Sequence, residues 1–106
     1  MNDITIDQGA TEDILIEASD VIRASILVSV DATSPTVIEK SANFVDGKAQ
    51  ITLLYEDTNI EVGDYVYQVR LFDENDEYFN LVNYECTSGD CTLNKFKVCP
   101  SIPEGV

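Results

Sequence analysis

Apolar and polar positions alternate with period two in three separate stretches of the chain, the spacing that puts every second side chain of a strand on one face. In the first, Ile22, Ala24, Ile26, Val28 and Val30 alternate with Arg23, Ser25, Leu27 and Ser29. In the second, which follows the turn signal Asp46-Gly47, Ala49, Ile51, Leu53 and Tyr55 alternate with Lys48, Gln50, Thr52 and Leu54. In the third, which follows Gly63, Tyr65, Tyr67, Val69 and Leu71 share a face. These runs predict three strands with Ile22, Ile26, Val28, Ile51, Leu53, Tyr65, Tyr67 and Val69 inside, the first of them central because its alternation is longest.

Shorter signals fill the intervals. Ile4-Thr5-Ile6 and Ile14-Leu15-Ile16 read as strands, and Thr36-Val37-Ile38-Glu39-Lys40 as an edge strand guarded by charge. Glu56 to Ile60 crosses between sheets as one helical turn. The Tyr65–Phe72 strand turns at Asp73-Glu74-Asn75-Asp76 and returns through Tyr78 to Tyr84. No amphipathic helix of useful length interrupts this series, so the pattern predicts an all-β protein, an antiparallel β-sandwich of seven or eight strands over residues 1–92.

From Leu93 the rhythm breaks, and residues 93–106 are expected to form an irregular C-terminal tail containing Pro100 and Pro103. One reading makes this tail a docking arm, with Phe96, Val98 and Ile102 as apolar anchors and Lys95 and Lys97 as basic contacts. The other makes it a segment that completes the fold.

At 106 residues the chain is one domain with enough apolar surface for a single core. No apolar run approaches the roughly 18 residues of a membrane helix. The start Met1-Asn2-Asp3-Ile4 lacks a basic segment and an apolar h-region, so the expectation is a chain made and retained in cytoplasm. The net charge of −14 is uneven: residues 1–90 hold 19 acidic and 4 basic side chains, residues 91–106 hold 1 and 2. A body this acidic is repelled by phosphate backbones, which argues against nucleic-acid partners. It also keeps a β-rich surface soluble, and a basic partner would match it.

Chemistry finds little purchase. There is no His to serve as a base near neutral pH, and no nucleophile elbow, P-loop or dinucleotide fingerprint occurs. Among 20 acidic residues, adjacent carboxylates carry no catalytic information. Cys99, beside Pro100, has no imidazole to activate it, so no catalytic residue is assigned and no enzyme is expected. Asp73-Glu74-Asn75-Asp76-Glu77 is dense in oxygen ligands but lacks the spacing of a calcium loop, and a solvated turn explains it equally well. Cys86 and Cys91 flank Thr87-Ser88-Gly89-Asp90, a turn that makes them a candidate disulfide. Zinc is disfavoured, because His is absent and the cysteine spacings match no familiar site. No cofactor is assigned. Phe44, Phe72 and Phe79 look like core or inter-sheet packing, whereas Tyr78, Tyr84 and Leu54 fall opposite the inward sets and would mark an interface if exposed together.

The step Gly63-Asp64-Tyr65 has a further meaning. In immunoglobulin-like sandwiches a Tyr just after the turn into a late strand forms a corner, its hydroxyl bonded to backbone upstream, here near Asp57 to Glu61. The inter-sheet disulfide and buried Trp of antibody domains are both missing.

The layout over residues 4–85 resembles small immunoglobulin-like proteins and modules of tailed-bacteriophage virions. The resemblance is carried by Ile4-Thr5-Ile6-Asp7-Gln8-Gly9, Ile14-Leu15-Ile16-Glu17-Ala18-Ser19-Asp20, Gly47 to Leu53, and the Gly-x-Tyr-x-Tyr-x-Val-x-Leu strand from Gly63 to Leu71. It implies a structural, non-enzymatic accessory protein of the virion, decorating capsids or joining tail or connector parts. Its partners would be other virion proteins, with copies of itself among them. It implies assembly in host cytoplasm and no membrane. The cysteine-bearing tail departs from the family pattern. A bacterial immunoglobulin-like module that binds carbohydrate or protein is the alternative; a sugar binder should show exposed aromatics framed by polar residues at one end of the sandwich.

Overall fold

A computed structural model of the chain describes residues 3–31, 33–80, 85–87, 90–92 and 94–101, with residues 79, 80, 85–87 and 90–92 described through their backbone. Ten strands and one helical turn follow in the order β1 (Ile4–Asp7), β2 (Glu12–Glu17), β3 (Arg23–Ser29), β4 (Thr36–Asn43), β5 (Lys48–Leu53), α1 (Tyr55–Thr58), β6 (Gly63–Phe72), β7 (Tyr78–Asn80), β8 (Glu85–Thr87), β9 (Asp90–Thr92) and β10 (Asn94–Cys99). The large sheet has the order β1-β10-β6-β3-β4, with β7 a further short strand on β6. Strands β2 and β5 form a second sheet, and β8 pairs with β9. Every pairing is antiparallel except β1 with β10, which is parallel. The protein is all-β and sandwich-like. No helix of the described residues is long and apolar enough to cross a membrane.

One core joins the two sheets. Ile14, Ile16, Ala49, Ile51 and Leu53 face it from the small sheet, and Ile6, Ala24, Ile26, Val28, Ile38, Tyr65, Tyr67, Val69, Leu71, Phe96 and Val98 from the large one. The β-branched and aromatic residues that favour a pleated, half-buried surface supply most of this set. Of the residues expected inside, Ile22 is the exception at 54% exposed, and Val30 is likewise outside at 57%. Both lie just outside β3. Ile22 still donates to the Phe72 carbonyl at 2.8 Å and accepts from the Phe44 N–H at 2.9 Å, so the backbone stays paired there while the side chain is no longer covered; a bulge between Val28 and Ser29 precedes Val30 at the other end.

Turns place the strands. Asp46 (φ 53°) and Gly47 (φ 77°) both sit in the left-handed region, and Val45 and Lys48 exchange backbone hydrogen bonds of 2.8 and 3.1 Å around them. That is the geometry of a two-residue hairpin turn, and Asp-Gly suits it. The crossing between sheets contains the expected helical turn, α1. Asp57 fixes it, accepting the Leu54 N–H at 2.8 Å and pairing with Lys40 Nζ at 3.1 Å. Lys40 lies on the inward-facing side of β4, the edge strand of the large sheet, and an inward charge discourages further strands from adding there.

The C-terminal expectation needs correcting. Residues 94–99 are no irregular tail: they form β10, inserted between β1 and β6, so the boundary at residue 93 does not divide the sandwich. Phe96 and Val98 alternate with Lys95 and Lys97, and Pro100 follows the last strand residue, where it ends the strand without interrupting a ladder. The described residues accordingly hold ten strands, where seven or eight were expected. The return through Tyr78 is a strand as far as Asn80, and Leu81 to Tyr84 lie outside the described residues.

Candidate functional site

Among the described residues three acid–base groups are displaced, each away from neutrality. Hydrogen bonds from Ser34 and Thr33 hold the Asp31 carboxyl below its ordinary value. Burial, reinforced by the charge of Glu61, pushes the Tyr65 phenol up. Burial also raises Tyr67, with Asp3 adding to the effect and a hydrogen bond with Asn94 opposing it. Among the described residues no three His, Cys, Asp or Glu side chains gather where a metal ion could sit. Two of the four acids of the hairpin tip are satisfied internally: the Asp73 carboxylate accepts N–H groups of Asn75 at 2.9 Å and Glu77 at 3.1 Å, and Asp76 pairs with Arg23 at 3.1 Å.

The outer face of the large sheet is different in character. Arg70 and Phe72 alternate with the buried Val69 and Leu71, and Arg23 precedes the buried Ala24, so all three point away from the core. Strand register brings Arg23 opposite Phe72, and Phe72 opposite Tyr78. The Arg23 guanidinium stacks over the Phe72 ring at 4.0 Å and that of Arg70 over Tyr78 at 4.6 Å; the two rings lie 5.8 Å apart, centroid to centroid. Such stacks use the negative face of the ring and are worth about 0.5–1 kcal/mol each at exposed sites. Gln68 Oε1 accepts the Arg70 Nε–H at 3.1 Å, so this guanidinium is held by its stem side with its terminal nitrogens outward. Beside it, Ser25 and Ser41 share a 2.6 Å hydrogen bond, which satisfies the buried Ser25 hydroxyl.

Lys95 and Lys97 are exposed on the same face, so four of the six basic side chains lie there. Against Asp7, Asp64 and Glu39 they give the face a net charge of +1, leaving −15 for the rest of the chain. Of the proposed tail contacts, then, Lys95 and Lys97 are available at the surface. Phe96 and Val98 are not: at 0% and 1% exposed they are core, because they occupy the inward positions of β10. Ile102 lies outside the described residues. The backbone register sets Cys86 opposite Cys91 across β8 and β9, and the proposed bridge between their side chains falls outside what is described. Cys99 is a free, half-buried thiol.

Phe72 is an outward residue, where core packing was expected, while Phe44 does pack against the core; the Phe79 side chain lies outside the described set. Tyr78 and Leu54 are exposed, at 52% and 43%, but lie apart in the fold, Tyr78 in β7 and Leu54 between β5 and α1, and Tyr84 is not described. Tyr78 instead joins Phe72 and the two arginines. The sequence signal for this cluster was the second face of the Tyr65–Phe72 alternation.

A second feature lies at the end of the molecule where β1, α1 and β10 meet. Asp7, Gln8, Gly9, Ala10, Tyr55, Pro100 and Ser101 line an open cleft of about 760 Å³. Gly9 has φ +79°, and a Cβ there would stand 3.0 Å from Cε2 of Tyr55, whose ring is otherwise 62% exposed. Gln8 Nε2 donates to the Ile60 carbonyl at 2.8 Å, and Ser101 Oγ to that of Gln8 at 2.7 Å.

No family model matches the chain, and no curated protein matches it.

Proposed function

We propose that this chain is an immunoglobulin-like β-sandwich that serves as a non-enzymatic structural accessory protein of a tailed-bacteriophage virion, decorating the capsid or joining tail or connector parts. The fold half of this reading is supported by a small sheet of β2 and β5 packed on a larger one, and by the Tyr65 hydroxyl bonded to the Glu61 carbonyl at 2.5 Å, the corner expected of such sandwiches. The sequence layout from Ile4 to Leu71 supports the virion half.

The observation that carries a contact function is the outer face of the large sheet. In a chain of net charge −14 it is nearly neutral, and it exposes stacked arginines and aromatics, the residue types enriched where proteins bind proteins. Its partners are other virion proteins and copies of itself, and neither nucleic acid nor membrane is among them. The protein resides in the virion after assembly in host cytoplasm. Mass spectrometry of purified particles, with antibody labelling of the particle surface, tests this. Stoichiometric presence at a repeated position is the expected result; absence from washed particles refutes it.

The alternative reading, a carbohydrate- or protein-binding module, is favoured by one observation. Tyr55 stands exposed at one end of the fold, framed by Asp7, Gln8 and Ser101. Titration with a panel of soluble oligosaccharides, comparing wild type with Tyr55→Ala, decides it.

A further inference from the structure

The charges at one end of the large sheet are only partly paired within the chain. In the hairpin between β6 and β7, Asp73 is used by its own turn and Asp76 by Arg23, while Glu74 and Glu77 are exposed and make no ion pair with any described residue. One strand position away, Arg70 is stacked on Tyr78 and held by Gln68, and it too has no carboxylate partner among the described residues. Among the described residues, then, Arg70 offers a preorganised guanidinium with no carboxylate on it, on the strand that leads into the hairpin carrying the exposed Glu74 and Glu77.

A patch whose basic–aromatic half adjoins its acidic half is complementary to itself under a twofold rotation: what residue i offers, residue j of the other copy accepts, and the reverse. We infer that this patch docks a second copy of the chain, the Arg70–Tyr78 cluster of each protomer receiving Glu74 and Glu77 of the other. This rests on the protein-contact reading above and names its partner. Two copies of a chain of net charge −14 repel each other at a distance. Their long-range repulsion fades beyond roughly 8 Å at physiological salt, while the contact pairs are partly desolvated and persist.

The test uses the full chain in sedimentation equilibrium at about 0.15 M salt. Wild type is expected at twice the monomer mass. Two variants reverse the two halves separately: Arg70→Glu, and Glu74→Lys with Glu77→Lys. Each alone should dissociate by roughly 100-fold or more, the scale of losing close interfacial charge pairs. Mixed in equal amounts, they should restore the dimer, because acidic face then meets basic hairpin in one contact and basic face meets acidic hairpin in the other. Circular dichroism on each variant confirms that the fold is retained. A wild type that stays monomeric to about 1 mM, a variant that dimerises alone, a mixture that fails to pair, or an assembly larger than two overturns the inference. Failure here with the chain still present in purified particles leaves the virion reading standing. A dimer from a chain absent from particles does the reverse.

Discussion

The hydroxyl of Tyr65 donates a 2.5 Å hydrogen bond to the carbonyl of Glu61, four residues upstream, and so closes the loop that delivers the chain from α1 into β6. The ring itself is buried, with only 8% of the residue exposed. Tyr65→Phe keeps the ring and removes the bond. It should lower unfolding free energy by about 0.5–1.5 kcal/mol, the usual net worth of one such bond. A denaturant midpoint equal to wild type would show that the corner contributes nothing.

Stability should fall at alkaline pH through the same side chain and its neighbour. Tyr65 and Tyr67 both have phenols raised above the ordinary 10.0, by burial first in each case. Above about pH 10 the unfolded chain loses these protons before the folded one does, so unfolding releases protons and stability declines as pH rises. Below that value their contribution is fully present. Urea midpoints from pH 8 to 12 check this, and replacing both tyrosines with Phe should flatten the decline. An unchanged slope in that double variant would assign the pH dependence to other groups.

Strand β10 separates core from surface residue by residue. Phe96 is 0% exposed and meets the Tyr67 ring edge-on at 6.2 Å, so Phe96→Ala should cost about 3–5 kcal/mol. Lys97→Ser, on the outer face, should change stability by no more than about 0.5 kcal/mol. Removing residues 94–106 should unfold the domain, because β1 and β6 would both lose a neighbour. A truncated chain that melts cooperatively near the wild-type temperature would return these residues to the status of an appendage.

The strands β3, β5 and β6 were legible because each carries its own alternation, and Ile26, Ile51 and Val69 are buried as that pattern requires. The limits of its inward set were not, since Ile22 and Val30 continue the pattern of β3 but are exposed, Ile22 even with its backbone still bonded to Phe72 and Phe44; what covers a side chain is decided by the opposite sheet and not by local periodicity. Strand β10 was obscured by its few apolar positions and its flanking prolines; what makes it a strand is the company of β1 and β6, from distant parts of the chain. The outer face was hidden for a related reason. Arg23 and Phe72 become neighbours only through the register of β3 on β6. Local periodicity marks each as outward but cannot bring them together.

Gly9 and Tyr55 give the last prediction, which bears on the cleft at the β1–α1 end. The φ of +79° at Gly9 costs a residue with a Cβ about 1–2 kcal/mol. An added methyl would also stand 3.0 Å from the Tyr55 ring edge, tighter than most such contacts, and the ring would have to give by a few tenths of an ångström. Gly9→Ala therefore carries two penalties, of which Tyr55→Ala relieves only the second. In a double-mutant cycle the combined variant should be more stable than the sum of the single losses predicts, by about 0.5 kcal/mol or more, the coupling expected of residues in contact. Backbone strain is indifferent to what occupies position 55, so it should survive as a residual cost in the double variant. Strict additivity would mean that the ring moves away freely, and that Gly9 is there for its backbone alone.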